Sequence, residues 1–211
     1  MLKVKRIIVG QYRTNCYLII DELGKQCLIL DPGDDADYIL REVNAEDIEP
    51  VCILATHGHF DHLLAVTELK LALNIPFMMQ KKDEFLLKRL KSSAAYFLKV
   101  SADPPPKIDS YLNSANLIQI GGFKIKVIET PGHTPGSVTF YIQKQNMAFV
   151  GDLLFENGGV GRSDFHYSNQ SVLNKSINKI LNLPDKTILY PGHGGETMIY
   201  AAKKFFKNLI Q

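Results

Sequence analysis

Short apolar runs separated by polar or glycine-containing turns dominate the pattern along the chain, and such runs are typical of β-strands. A continuous apolar run at residues 51–55 predicts a buried strand. Residues 123–127 alternate apolar side chains with lysines, as in a strand with one buried face. The predicted strands cover residues 4–9, 17–20, 27–30, 51–55, 77–79, 123–127, 138–142, 147–150 and 187–190.

Apolar residues recur at helical spacing between these strands. Leu63, Val66, Leu69 and Leu73 fall on one helical face, and Pro76 ends that pattern. The other predicted helices cover residues 37–43, 84–98, 174–181 and 197–209. Strands in each half of the chain with helices between them favour two sheets with helices outside. We expect one domain over residues 1–211. The spacing alone does not exclude other layered α/β folds.

Composition and charge narrow the function classes. The 211 residues are 45% hydrophobic and 22% charged, as in soluble globular proteins. The 24 Lys and Arg against 22 Asp and Glu give +2, so no strong field attracts nucleic acid or an anionic membrane. No apolar run approaches the ~20 residues of a membrane span, and the N-terminal segment has no signal-peptide core. Cys16, Cys27 and Cys52 form no CxxC pair. We therefore expect a cytoplasmic protein without nucleic-acid or membrane partners.

The strongest chemical signal is the segment T-H-G-H-F-D-H, which follows the strand predicted at residues 51–55. It places His57, His59, Asp61 and His62 within six residues. A loop that leaves the end of a buried strand can direct such closely spaced donors into one pocket. Imidazole nitrogens and carboxylate oxygens are the ligands that zinc and similar divalent metals prefer. The segment therefore predicts a metal site.

Three further candidates share one local context, in which a predicted strand ends and a glycine immediately precedes the candidate. They are His133, Asp152 and His193. One cluster supplies too few ligands for two metals, so these remote residues are predicted to complete the site. The sixth histidine, His166, fits no ligand position and is predicted to be a loop residue.

These motifs, together with Asp31-Pro32-Gly33, resemble the metallo-β-lactamase superfamily in order and context over nearly the whole chain. Within it, the sequence is most similar to short glyoxalase II-like hydrolases, through the segments N-C-Y at residues 15–17, G-D-L-L-F at 151–155, G-R-S-D-F at 161–165 and P-G-H-G at 191–194. The fold that this resemblance implies is α/β (α+β), a four-layer αββα sandwich with two metals at one edge between the sheets.

The resemblance also implies a ligand set and a reaction. His57, His59 and His133 would hold the first metal, Asp61, His62 and His193 the second, and Asp152 would bridge them. The implied cofactors are two divalent metals per chain. Zn²⁺ is the metal expected first, and Fe or Mn are the alternatives. The implied partner is a small acyl-thiol, such as a hydroxyacylglutathione. The nucleophile would be hydroxide on the metals that Asp61 and Asp152 help to hold.

Weaker expectations concern substrate contacts. Asp31 is predicted to orient a ligand histidine or to cap a turn. Arg162 is predicted to meet a substrate carboxylate or to tie its loop together, and Gly159 to present backbone N–H groups. Phe155 is the third predicted substrate contact. Long glyoxalase II enzymes add a C-terminal region that grips glutathione, for which the residues after His193 leave no room. They also carry a tyrosine where this chain has Asp164.

Alternatives remain open at this point. A persulfide dioxygenase of the same superfamily would use one iron on His57, on His133 or His59, and on Asp152. A lactonase is disfavoured because family lactonases place a tyrosine where this chain has Phe155. A scaffold that binds metal without catalysis is disfavoured by the complete ligand set, and RNA-processing relatives need an extra domain that this chain lacks.

Overall fold

Strands with long apolar stretches build the centre of the molecule, which a computed structural model describes over residues 1–206. The first sheet contains β1 (Leu2–Val9), β2 (Thr14–Asp21), β3 (Gln26–Leu30), β4 (Glu49–Leu54), β5 (Phe77–Gln80) and β6 (Ser110–Leu112). Its strands lie in the order β1-β2-β3-β4-β5-β6. The pairs from β1 to β3 are antiparallel, and those from β3 to β6 are parallel.

The second sheet comes from the second half of the chain. It contains β7 (Leu117–Ile120), β8 (Phe123–Glu129), β9 (Val138–Ile142), β10 (Met147–Gly151), β11 (Ile188–Pro191) and β12 (Thr197–Met198). The strand order is β12-β11-β10-β9-β8-β7. Only β10 and β11 pair in parallel within these described strands.

Helices cover the outer face of each sheet. The elements packed on the first sheet are α1 (Ala36–Ala45), α2 (Val66–Leu73), α3 (Glu84–Leu87) and α4 (Leu90–Phe97). Those on the second sheet are α5 (Gln170–Leu181) and α6 (Ile199–Ala202). Three short 3-10 turns cover Phe60–His62, Lys81–Asp83 and Gln143–Gln145. The predicted αββα sandwich is confirmed. No helix among residues 1–206 is long and apolar enough to cross a membrane.

Aromatic rings join the two sheets between their inner faces. The Tyr17 ring of β2 lies edge-on to Phe149 of β10, with centroids 5.3 Å apart, and to Tyr190 of β11, at 5.6 Å. The Tyr17 hydroxyl donates to the carbonyl of Pro191, at 2.7 Å. The first sheet is therefore attached directly to the strand that precedes His193.

The predicted strands are all present, but the helix prediction is wrong at two places. The helix expected over residues 84–98 is two helices, because the N–H of Arg89 bonds to the carbonyl of Leu86, three residues back, and interrupts the α-helical pattern. The segment expected as a helix over residues 197–209 starts as strand β12 and continues into the short α6. Residues 207–211 lie outside the described part of the chain. Strands β6, β7 and β12 were not predicted.

Phe140 of β9 is fully buried between the sheets, so its removal tests the sandwich core. We expect Phe140→Ala to lower the free energy of unfolding by about 3–5 kcal/mol, through lost burial and the cavity left behind. Urea denaturation measures the change. Leu71→Ala, at an exposed position of α2, is the control and is expected to stay within about 0.5 kcal/mol. Equal effects of the two substitutions would contradict the assignment of the core.

Candidate metal centre

Five strand ends meet at one edge of the sandwich, and each is followed by a residue singled out from the sequence. Asp31 follows β3, the segment from His57 to His62 follows β4, and His133 follows β8 by a short loop. Asp152 and His193 follow β10 and β11. Because the carboxyl ends of parallel strands lie at the same edge of a sheet, residues far apart in sequence reach one place.

The structure brings all seven predicted ligands together. Their donor atoms form three overlapping groups, each with atoms within 4.8 Å of one another. The groups are His57, His59 and His133; His57, His62 and Asp152; and Asp61, His62 and His193. The first and third groups share no residue, so they mark two neighbouring positions, each with three ligand atoms that could hold a cation. His166 lies outside these groups, on the exposed loop beside Tyr167.

Asp152 lies between the two positions. Its Oδ1 is 3.5 Å from Nε2 of His62, and its Oδ2 is 3.6 Å from Nε2 of His133. Oδ2 is also 3.7 Å from Nε2 of His193, whose Nε2 is in turn 3.4 Å from Oδ2 of Asp61. This arrangement suits a carboxylate that contacts both positions.

Asp31 and Thr56 fix the orientation of two imidazoles. Asp31 Oδ1 accepts from the Thr56 N–H, and Oδ2 accepts from the Thr56 hydroxyl, both at 2.7 Å. Asp31 Oδ2 also accepts from Nδ1 of His62, at 3.1 Å, and the Thr56 hydroxyl oxygen accepts from Nδ1 of His57, at 3.0 Å. Both histidines are thereby held with Nε2 facing the cluster. In metal sites, residues that hydrogen-bond to the outer nitrogen of a ligand histidine orient its ring in this way.

The other three imidazoles have partners from two loops, residues 10–13 and residues 152–169. Nδ1 of His133 donates to the carbonyl of Arg162, at 2.7 Å, and Nδ1 of His193 donates to the carbonyl of Tyr12, at 3.1 Å. His59 has the opposite orientation: its Nε2 is 2.9 Å from the hydroxyl of Tyr167, and its Nδ1 faces the cluster. Each of the five imidazoles therefore turns one nitrogen inward and bonds through the other.

Burial and mutual proximity set the protonation of the cluster. Burial, followed by the neighbouring imidazoles, lowers the pKa of His57 well below its usual value and the pKa of His59 to about 3. Both are neutral at pH 7, the form that binds a metal. Burial alone would lower the pKa of His62, but the carboxylates of Asp152, Asp61 and Asp31 raise it to about 10. The electrostatic field at that point therefore favours a positive charge.

Two buried polar atoms of the cluster lack a hydrogen-bond partner. They are Nε2 of His62 and Oδ1 of Asp152, which face each other. An unpaired buried polar atom costs about 1–3 kcal/mol. A cation bound between them would give both atoms a partner, so the residues fit a divalent metal.

A buried carboxylate outside the ligand set joins two ligand loops. Asp83 accepts from the N–H of Gly58, at 2.8 Å, in the loop of His57 and His59. It also accepts from the N–H of Gly136 and the hydroxyl of Thr134, both at 2.6 Å, in the loop of His133. These bonds fix the spacing of the loops that hold the first group. Asp83 was not predicted from the sequence, because its polar neighbours give no sign of burial.

Steric crowding explains the glycine before His193. A Cβ atom at Gly192 would lie 2.3 Å from Oδ1 of Asp152 and 2.6 Å from Cε1 of His62. Any larger residue would therefore displace two predicted ligands. The glycine that marked this position in the sequence is required by the close approach of the backbone to the cluster.

The predicted substrate contacts have different surroundings. The guanidinium of Arg162 donates two hydrogen bonds to Asp164, at 3.0 and 2.8 Å, and lies over the Phe165 ring, so it ties its own loop. The N–H of Gly159 donates to Oδ1 of Asn157, at 3.0 Å, inside the loop, and its contact with substrate stays a prediction. Phe155 lines the cavity beside His193.

A cavity of about 280 Å³ opens onto the cluster. His59, Asp61, His133, Asp152 and His193 form its polar side. The remaining surface is mostly apolar and aromatic, contributed by Tyr12, Phe60, Leu86, Phe97, Phe155, Val160, Phe165 and Tyr167. The arrangement allows a small molecule with an apolar part to place a polar group at the cluster.

Tyr167 is a residue of this site that sequence reasoning missed. Besides contacting His59, its ring stacks on Phe165, with centroids 5.2 Å apart. Burial raises the pKa of Tyr167 to about 12, so the phenol stays protonated at neutral pH. Long glyoxalase II enzymes, to which the sequence was compared above, carry a tyrosine at the position of Asp164. In this chain a tyrosine, Tyr167, lies three residues further along.

A family profile and similar proteins of known sequence agree on the family to which this sequence is related. The profile of the Metallo-beta-lactamase superfamily matches residues 9–193. A probable metallo-hydrolase of Bacillus subtilis, YqgX, is 35% identical over 93% of this chain and 92% of its own. The hydroxyacylglutathione hydrolase GloC of Haemophilus influenzae is 33% identical over 96% of both chains.

Solved structures agree with these relatives. The crystal structure of the BLEG-1 B3 metallo-beta-lactamase superposes with a TM-score of 0.88, at 34% identity over 96% of this chain and 97% of its own. The structure of TTHA1623 in a di-iron-bound form has a TM-score of 0.84, at 33% identity over 95% and 96% of the two chains. A similar protein therefore holds two metal ions.

Substitution of Asp31 tests whether a hydrogen bond to the outer nitrogen of a ligand histidine supports metal binding. Asp31→Asn keeps the size of the side chain but removes the charge that accepts from Nδ1 of His62. We expect metal affinity to fall about 10–100-fold, measured by competition with a chelator. Asp37→Asn, an exposed carboxylate in α1, is the matched control. An unchanged affinity in a folded Asp31→Asn protein would show that the contact does not support the site.

Asp83 tests the link between the two loops. We expect Asp83→Ala to lower the free energy of unfolding by about 2–4 kcal/mol, because two buried N–H groups and a hydroxyl lose their acceptor. Thermal and urea denaturation measure the loss. Asp47→Ala removes an exposed carboxylate paired with Lys25 and should leave the free energy of unfolding nearly unchanged, because water and salt screen an exposed ion pair. If both variants unfold alike, Asp83 has no linking role.

Proposed function

The chain belongs to the metallo-beta-lactamase superfamily, and from this premise we propose that it is a hydrolase that uses two divalent metal ions, Zn²⁺ before Fe or Mn, to cleave a small thioester such as a hydroxyacylglutathione. The observation that carries the proposal is the position of Asp152, whose two oxygens face imidazoles from both ligand groups. The name of the Haemophilus influenzae relative, hydroxyacylglutathione hydrolase, supports the substrate class.

The ligand assignment follows the grouping of the donor atoms. His57, His59 and His133 would hold one cation, Asp61, His62 and His193 the other, and Asp152 would contact both. Metal ions held by these residues would supply hydroxide at neutral pH, because a divalent metal lowers the pKa of a bound water to about 7.

The side chains of this protein orient the ligands. The hydrogen bonds of Asp31, Thr56 and Tyr167 hold the outer nitrogens of three imidazoles, so that the other nitrogen of each ring faces inward. The cavity beside them keeps the substrate next to the cluster and excludes bulk water from its apolar side.

The reaction requires little proton transfer from the protein. The oxygen of one water bonds to the acyl carbon, the carbon–sulfur bond breaks, and the departing sulfur takes a proton, so the products are a carboxylic acid and a thiol. A thiol has a pKa of about 8.5, so the thiolate leaves without a strong general acid. The absence of a hydroxyl on Phe155, three residues after Asp152, disfavours lactone cleavage.

Hydrolysis of S-lactoylglutathione, with metal content determined on the same sample, tests the proposal directly. We expect turnover with about two metals per chain. Two bound metals without turnover of any thioester would reject the thioesterase assignment and keep the metal centre. One iron per chain with oxygen consumption on a persulfide would favour the dioxygenase alternative.

Ligand removal tests the assignment of individual residues. We expect Asp61→Ala and His133→Ala each to lose metal and activity while the fold is retained, because each removes a donor from one group. Metal analysis, circular dichroism and the thioester assay measure the three properties. His166→Ala removes the exposed histidine outside the cluster and should leave all three unchanged. Full activity in either ligand variant would contradict the assignment.

A further inference from the structure

Three aromatic side chains form one side of the cavity next to the cluster, and we call them the aromatic wall: Tyr12, Phe60 and Phe97. The rings of Phe60 and Phe97 are stacked, with centroids 5.5 Å apart and planes 5° from parallel. The ring of Tyr12 meets Phe60 edge-on, at 5.7 Å. Phe97 and Tyr12 are each 47% exposed, so the wall presents apolar surface to the open cavity.

Two of the three residues of the wall are attached to the ligand cluster. Phe60 stands between the predicted ligands His59 and Asp61, and the backbone carbonyl of Tyr12 accepts from Nδ1 of His193. Phe97 is the last residue of α4. A molecule whose reacting carbon lies at the cluster would therefore have its neighbouring atoms against these rings.

The charges around the cavity do not favour a strongly anionic group there. Among the described residues that line it, Arg162 has the only permanently cationic side chain. That guanidinium is already paired with Asp164 and lies over Phe165. The surface left for recognition is apolar, and burial of apolar surface is what such a wall contributes to binding.

We propose that the aromatic wall is an acyl-binding site, which makes this protein favour thioesters whose acyl group carries an extended apolar aliphatic or aryl part over those with a short acyl group such as acetyl. This inference rests on the proposed thioesterase function and names its substrate class. The acyl chain lies against Phe60 and Phe97, and the carbonyl carbon lies at the cluster.

The first test compares an acyl series on one thiol with the metal-loaded enzyme. Acetyl, lactoyl, butyryl, hexanoyl and phenylacetyl thioesters are assayed on glutathione and on uncharged N-acetylcysteamine. We expect kcat/KM to rise about fourfold for each added methylene until the cavity is filled, as burial of a methylene predicts. The same order should hold on both thiols, because the selectivity lies in the acyl group.

The second test removes one ring of the wall. Phe97→Ala should lower kcat/KM for the hexanoyl and phenylacetyl thioesters about tenfold and change the acetyl thioester less than about twofold. Tyr38→Ala, at a similarly exposed aromatic position of α1, is the matched control. Inhibition of the unmodified enzyme by the free acids gives a measurement that needs no variant: phenylacetate and hexanoate should inhibit more strongly than acetate.

The outcomes separate this inference from the proposed function. A flat acyl profile, or equal losses for all acyl groups in Phe97→Ala, would overturn the acyl site while thioester hydrolysis itself stands. A metal-loaded enzyme that hydrolyses no thioester would overturn both. A rising profile that Phe97→Ala flattens supports the inference.

Discussion

The candidate site depends on one constraint: five imidazoles and two carboxylates share a small volume, and each imidazole must turn a particular nitrogen inward. Water cannot set these orientations at the buried positions, so hydrogen bonds on the outer nitrogens do so. The acceptors are a carboxylate, a threonine hydroxyl, a tyrosine hydroxyl and two backbone carbonyls, and they come from four segments of the chain. Loss of any of these segments would release an imidazole, so the loops around the cluster form one cooperative unit.

The sandwich provides the positions that this unit requires. Strands from both sheets end at the same edge, so loops distant in sequence converge without long excursions. The rings of Tyr17, Phe149 and Tyr190 hold the sheets together close to that edge. Asn15 continues the attachment, because its side-chain amide donates to the carbonyls of Pro191 and Gly194 on either side of His193. The distance between the ligands that follow strands of the first sheet and those that follow strands of the second is therefore set by packing between the sheets.

Much of this architecture could be predicted from the sequence, and the exceptions have physical reasons. His133 and His193 were identifiable because each follows a strand and a glycine, a context set by close backbone approach. The partners of these two histidines are the carbonyls of Arg162 and Tyr12, which every residue type possesses, so the sequence carries no signal for them. Asp83 and Tyr167 contact residues that are far from them in the sequence, so the local pattern does not indicate their roles. Strand β6 pairs at the edge of its sheet with mostly exposed residues, so its hydrophobic pattern is weak.

The bond between His133 and the carbonyl of Arg162 has a consequence for the evolution of the site. The main chain at position 162 supports the metal centre, whereas the side chain points into the cavity and pairs with Asp164. Substitutions of that side chain can alter what the cavity accepts without disturbing the imidazole behind it. New substrate preferences can therefore accumulate in this loop by single mutations while the hydrolytic centre is inherited intact.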